Sequence, residues 1–274
     1  MKLKNQLIPI FLTAFTCLVL IGLLYLEIVF LNSFTDEKIS LSIRVADILV
    51  GLTIYLKTSI DFAIFIGRLM EKNTGLKSRI AIEIGTAFGN AAGTMIILLI
   101  WTFFKEVDWL LAIMIFIAAL VLIRLAQDGL EHIDANNPKY PKAFRGFVKS
   151  LDKIISTSNK FIEPVLSKII PHQSLKVKAS RTFWGLLMMS FTVPFILGLD
   201  DFAGYVPLFN VINVFGFAIG VFVGHMILNI LLYISPKQTI KLVKNPIISL
   251  IGSMAFLGLA IWGIIEAFKL LFLH

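Results

Sequence analysis

One cysteine in 274 residues, Cys17, excludes an intrachain disulfide and leaves too few thiolates for a sulfur-ligated metal cage. Soluble catalytic signatures are missing as well: there is no nucleophile elbow, no P-loop, no zincin histidine pair and no Cys-x-x-Cys. Enzyme activity is therefore not expected, and no cofactor is called for. Charged residues are scarce, at 15% of the chain, so the hydrated surface that a soluble domain of this size needs is absent.

What the chain has instead is apolar length. Hydrophobic residues make up 58% and the mean hydropathy is +0.89. Seven runs can cross a hydrocarbon core about 30 Å thick, at about 6 to 31, 44 to 67, 80 to 104, 107 to 126, 182 to 199, 211 to 234 and 247 to 272. Such runs are predicted helices, because lipid-exposed strand edges would leave backbone groups unpaired at several kcal/mol each. The first run exceeds the length of a signal-peptide core and lacks a small-x-small cleavage site, so it reads as a retained helix, with Glu27 reaching the headgroups near its end. The expected fold class is an all-α polytopic membrane protein.

The formal charge of +8 is explained by sidedness. With the N-terminus inside, twenty Lys and Arg fall on the inner side, eleven of them between Arg124 and Arg181, while Lys38, Arg44, Lys105 and Lys269 lie outside. The expected topology is N-in, C-out in the cytoplasmic membrane. Anionic lipid headgroups are the expected partners of this basic face, and nucleic acid is not.

An internal repeat organises the chain. "GTAFGNAAGTMIILLI" from Gly85 aligns with "GFAIGVFVGHMILNIL" from Gly216, each with glycine at every fourth position, then a polar residue (Thr94 or His225) and Met-Ile. An Asp-Phe-Ala element precedes each, in "SIDFAIFIG" at Asp61 and "LDDFAGYVP" at Asp201. The predicted divisions are an N-terminal helix (1–40), a first three-helix repeat (41–126), a basic amphipathic linker (127–181) and a second three-helix repeat (182–274). Three helices are an odd number, so the second copy is inverted, as in many secondary transporters. Spaced glycines make a smooth face for close helix packing.

In the linker, Phe144, Phe147, Val148, Leu151, Ile154 and Ile155 recur at helical spacing among lysines, predicting an amphipathic helix on the inner surface. Lipid suffices as its partner; regulation or contact in a homo-oligomer is the other use for it. Glu131, His132 and Asp134 in "LEHIDANNP" have a spacing that fits no recognised metal site.

The chemistry-bearing candidates are few. Lys57 and Asp61 are four apart and share a face if their helix is regular, forming either a structural pair or an ion site with Lys57 as internal counter-ion. Pro194 and Gly198 precede Asp200 and Asp201, which predicts an ending or broken helix with the acids either solvated at the outer mouth or ligating a cation. His225 and Asn229 stand one turn apart, as do Asn90 and Thr94, and facing positions would make a polar chamber. A buried histidine held by neighbouring groups is the alternative for His225, and Glu83 and Glu266 read as interfacial.

The Asp-Phe-Ala elements feeding glycine-patterned helices in a 3+3 repeat resemble the LysE superfamily of exporters, above all its cadmium-resistance and manganese-efflux branches. The resemblance implies that Asp61 and Asp201, with Asp200, occupy ion-binding positions. Lys57, the single acid of the first repeat, the first span and the long linker depart from that pattern. The function expected is a secondary transporter exporting a divalent metal cation by alternating access around Asp61, Asp201 and His225. Export of amino acids or other small solutes is the second reading, and a non-transporting membrane scaffold the third.

Overall fold

In the computed structural model, the backbone is described for residues 4–169, 182–210 and 212–272, and side chains for these except 4–9, 165–169, 199–203 and 210. Every regular element among the described residues is helical. They are α1 (Lys4–Leu31), α2 (Val45–Thr58), α3 (Ile60–Lys72), α4 (Leu76–Phe104), α5 (Asp108–Glu131), α6 (Lys142–Ile169), α7 (Phe183–Gly204), α8 (Val214–Ile234), α9 (Pro236–Val243) and α10 (Pro246–Phe272), with a 3₁₀ turn at Val206–Asn210 between α7 and α8.

Helices α1, α4, α5, α8 and α10 are each long and apolar enough to cross a membrane, α2 and α3 together form a bent sixth, and the apolar stretch Phe183–Gly198 of α7 is shorter. The protein is an all-α polytopic membrane protein. Its outer faces are apolar, as in α1, where Leu20, Leu24, Ile28 and Leu31 are buried inward while Phe11, Phe15, Leu18 and Leu26 are exposed. In water such a surface would drive association, whereas a bilayer solvates it.

Two sequence expectations are corrected. Span two is not one regular helix: α2 and α3 meet at Ser59 with a bend of 64°. The cause is local competition for one carbonyl, since Tyr55 O accepts from Ser59 N (3.0 Å), Ser59 Oγ (2.8 Å) and Thr58 Oγ1 (3.0 Å). Conversely, α7 neither breaks at Pro194 nor ends before the acid pair, but runs on to Gly204. Pro194 lacks an N–H and so leaves the backbone oxygen of Ser190 without its helical donor, while the Ser190 hydroxyl donates to Leu186 O at 2.7 Å.

The most extensive helix packing joins α4 to α7, α5 to α10, and α2 to α8. Exchanging the two three-helix units turns the α4–α7 pair into α8–α2 and α5–α10 into itself. Contact registers obey the same exchange. Gly85 and Gly89 lie against the backbones of Leu187 and Phe191, and Gly216 and Gly220 lie against those of Arg44 and Ile48. The glycine helices thus correspond at an offset of 131 residues and their partners at 143. Ala119 facing Gly263 is likewise the image of Ser253 facing Gly129, at an offset of 134.

This register differs from that of the Asp-Phe-Ala match, whose offset is 140. Carried along α2, the packing offset of 143 sets Lys57 against Asp200, whereas Asp61 lies beyond the bend, outside the stretch whose glycine contacts define that register.

The amphipathic helix expected in the linker is α6, which packs on α5. Val148 and Ile155 enter a core with Leu122, Ala126 and Leu130, while Phe147, Ile154 and Phe161, seven apart, stay exposed. It therefore docks on protein as well as offering an apolar face outward. Helix α9, unforeseen from sequence, packs against α3.

Candidate functional site

The bend at Ser59 borders a small cavity lined by both acidic and basic side chains. It is about 20 Å³, enough for one or two water-sized occupants. Its walls carry Lys57, Thr58 and Asp61 from the bend, Asp128 and His132 from the end of α5, and Ser249 and Ser253 from the start of α10. Both serine hydroxyls are buried and lack a hydrogen-bond partner.

Asp61 does not pair with Lys57, because the bend separates them; its ion-pair partner is His132, with Nε2 3.5 Å from Oδ1. His132 Nδ1 lies 2.7 Å from the backbone oxygen of Asp128. A carbonyl can only accept, so Nδ1 carries a hydrogen, and the second nitrogen faces a carboxylate. Protonation of that second nitrogen would make His132 a cation facing the Asp61 carboxylate. The hydrogen bond from Asp61 raises the His132 pKa above the ordinary histidine value, outweighing partial burial, which acts the other way.

His225 sits elsewhere. It is fully buried, between the rings of Tyr55 and Phe62, whose centroids lie 5.6 and 4.9 Å away. Phe62 follows Asp61 directly, and neighbouring helical residues point about 100° apart, so Phe62 turns to α8 while Asp61 turns to α5. Both imidazole nitrogens are engaged: Nδ1 lies 2.5 Å from the Tyr55 hydroxyl, and Nε2 3.1 Å from Asn229 Nδ2. The same Asn229 nitrogen donates to Thr86 Oγ1 at 3.0 Å. With the amide so placed, Nε2 accepts and Nδ1 carries the hydrogen. Neither nitrogen is free to ligate a metal in this arrangement.

The expected polar chamber is thus altered. Asn229 meets Thr86 on α4, one turn before Asn90, while Asn90 lies against Gly198 and Thr94 donates to its backbone oxygen at 3.0 Å. Asp200 and Asp201 lie within α7, but their side chains are outside the described set. Among the described residues no three His, Cys, Asp or Glu side chains are arranged to hold a metal ion. Glu266, expected at the interface, has Lys269 Nζ 3.5 Å from Oε2. Glu83 is buried within the protein, 2% exposed.

Sequence reading weighed His132 only beside Glu131 and Asp134, not as a partner of Asp61, and missed Asp128, Tyr55, Ser249 and Ser253. The Thr58-Ser59 pair preceding Asp61 is the local signal that announces the bend, because adjacent hydroxyls can both return to the preceding turn. The two halves also meet here, where Tyr205 Oη, just beyond α7, donates to Thr58 Oγ1 at 2.7 Å.

No protein family, curated protein or solved structure matches this chain.

Proposed function

We propose that the chain is a secondary transporter of the cytoplasmic membrane, N-terminus inside and C-terminus outside, that exports a small cation, with divalent metals as the first substrate class. The observation that carries this reading is the twofold exchange of helix contacts, in which glycines seat α4 on α7 and α8 on α2 backbone to backbone. Interfaces without interlocking side chains permit sliding and rocking between units, the motion that alternating access needs.

The cavity at the helix bend supports a cation as substrate. Carboxylates of Asp61 and Asp128 and the serine hydroxyls are oxygen donors, and the volume is too small for an amino acid in this conformation. Protonated His132 and an incoming cation compete for Asp61, so export of one is coupled to uptake of the other. Lys57, on the same wall, is the internal positive charge that neutralises the cavity when it is vacated.

The test is flux in proteoliposomes carrying a pH gradient, offered manganese, cadmium or zinc, for the wild type and for Asp61→Asn and His132→Gln. Wild-type flux lost in Asp61→Asn and uncoupled from the pH gradient in His132→Gln is expected. A folded wild type that moves none of these ions, and moves amino acids or nothing, overturns the reading. The scaffold reading would then fit the internally satisfied Tyr55, His225, Asn229 and Thr86 contacts.

A further inference from the structure

Glu83, on the first part of α4, has both carboxyl oxygens buried without a hydrogen-bond partner, in a side chain 2% exposed. One turn earlier on the same helix, Arg79 is also buried. Its Nη1 donates to the backbone oxygen of Tyr233 on α8 at 2.9 Å, its guanidinium lies 5.2 Å from the Tyr233 ring centroid, and its Nε has no partner. An acid and a base four apart on one helix are in reach of each other, yet they form no ion pair. An ionised carboxylate in so apolar a place would cost several kcal/mol unpaired, and a free guanidinium nitrogen one turn away would relieve it. The absence of that pair is accounted for if Glu83 is neutral.

We propose that Glu83 is a proton-binding site of the transporter: its carboxyl holds a proton in this conformation and releases it when Arg79 turns from the Tyr233 carbonyl to pair with the carboxylate. The way to solvent leads past Arg79. Arg79 lines an open cleft of about 520 Å³ at the α3, α8 and α9 ends, whose walls include Glu71, Lys72, Ser235 and Lys237. In the step, the Glu83 O–H bond breaks, the proton passes to water in the cleft, and the charge left behind is balanced by the guanidinium already present. Thr86, one turn further along, donates to the Glu83 backbone oxygen at 2.8 Å and receives the Asn229 amide. Glu83 thus adjoins the central contacts between α4 and α8, where a change of charge would be felt by both units.

Helix α4 itself also carries Lys77, and the helices packed against it carry further titratable groups. Besides Arg79, α8 contributes Tyr233 and His225, α3 contributes Asp61, Arg68, Glu71 and Lys72, α5 contributes Asp108, Arg124, Asp128 and Glu131, and α1 contributes Cys17, Tyr25 and Glu27, while Phe183–Gly198 of α7 contains none. The protonation itself is independent of transport; its use in coupling rests on the transporter reading.

The experiment is infrared difference spectroscopy of the full chain in lipid nanodiscs across a pH titration, comparing wild type with Glu83→Gln, Glu83→Asp and Arg79→Gln. The expected result is a protonated-carboxyl band in the wild type that fades as pH rises, is missing in Glu83→Gln and is displaced in Glu83→Asp. In Arg79→Gln its midpoint moves upward by about one pH unit or more, because the cation that favours the carboxylate is gone. A Glu83 that is ionised at every pH, or a midpoint that ignores Arg79, overturns the proposal. Should Glu83→Gln fail to fold, an unchanged band in Glu83→Asp overturns it equally. Since no substrate is added, a protein with this band and no flux would sink the transporter reading and leave the proton site standing.

Discussion

His132 Nε2 lies 3.5 Å from Asp61 Oδ1, joining the end of α5 to the first turn of α3 across the bend at Ser59. Seventy-one residues separate them, and neither identity nor spacing connects them in the sequence. The contact makes the cavity wall responsive to pH, because the hydrogen bond with Asp61 raises the pKa of His132.

The sign of that response follows from the raised pKa of His132. A histidine whose folded value exceeds its unfolded one stabilises fully below the unfolded value, about 6.5, and loses that contribution as pH rises through the raised folded value. Nuclear magnetic resonance of labelled histidine should show the His132 titration moving to lower pH in Asp61→Asn. A midpoint unaffected by that substitution would mean the pair does not form.

The helix bend depends on hydroxyls rather than on proline or glycine. Thr58→Val with Ser59→Ala removes two donors to Tyr55 O and the acceptor for Tyr205 Oη. Straightening of α2 into α3 is expected, at about 1 kcal/mol for each bond lost. Spin-label distances between the first half of α2 and the end of α3 measure it directly; lengthening indicates a straighter helix, and an unchanged distance would show that tertiary packing alone imposes the bend.

Glycine positions should divide sharply. A Cβ at Gly220 would overlap the backbone oxygen of Ile48, whereas one at Gly258 meets nothing within 4 Å. Gly220→Ala should cost about 1–3 kcal/mol by overpacking, while Gly258→Ala should leave stability unchanged or higher. Thermal unfolding in detergent compares them, and equal effects would contradict the backbone contact.

Tyr55→Phe removes the partner of His225 Nδ1 in a fully buried site. Stranding that nitrogen should cost about 1–3 kcal/mol. Denaturant unfolding in mixed micelles gives the value, and a neutral result would indicate that water replaces the hydroxyl there.

The long apolar helices, the glycine match between Gly85 and Gly216, and the amphipathic stripe of α6 were legible in the sequence, whereas the break between α2 and α3 and the short α9 were not. Each legible feature depends on local periodicity and length, which lipid and a helical backbone convert into structure with few alternatives. Asp61 was also legible, since a charge in an oily run is conspicuous. Its company was not. Tertiary packing decided that Asp61 faces His132 rather than Lys57, that His225 is satisfied by Tyr55 and Asn229, and that Glu83 is sealed from solvent. It also set the packing register of α2 against α7, an offset of 143 rather than the 140 of the Asp-Phe-Ala match. The physical reason is that a helix fixes which residues share its face, whereas a bend of 64° and the rotation of neighbouring helices fix what that face meets. Those depend on hydroxyl competition at one carbonyl and on glycine contacts between distant segments, neither of which hydropathy records.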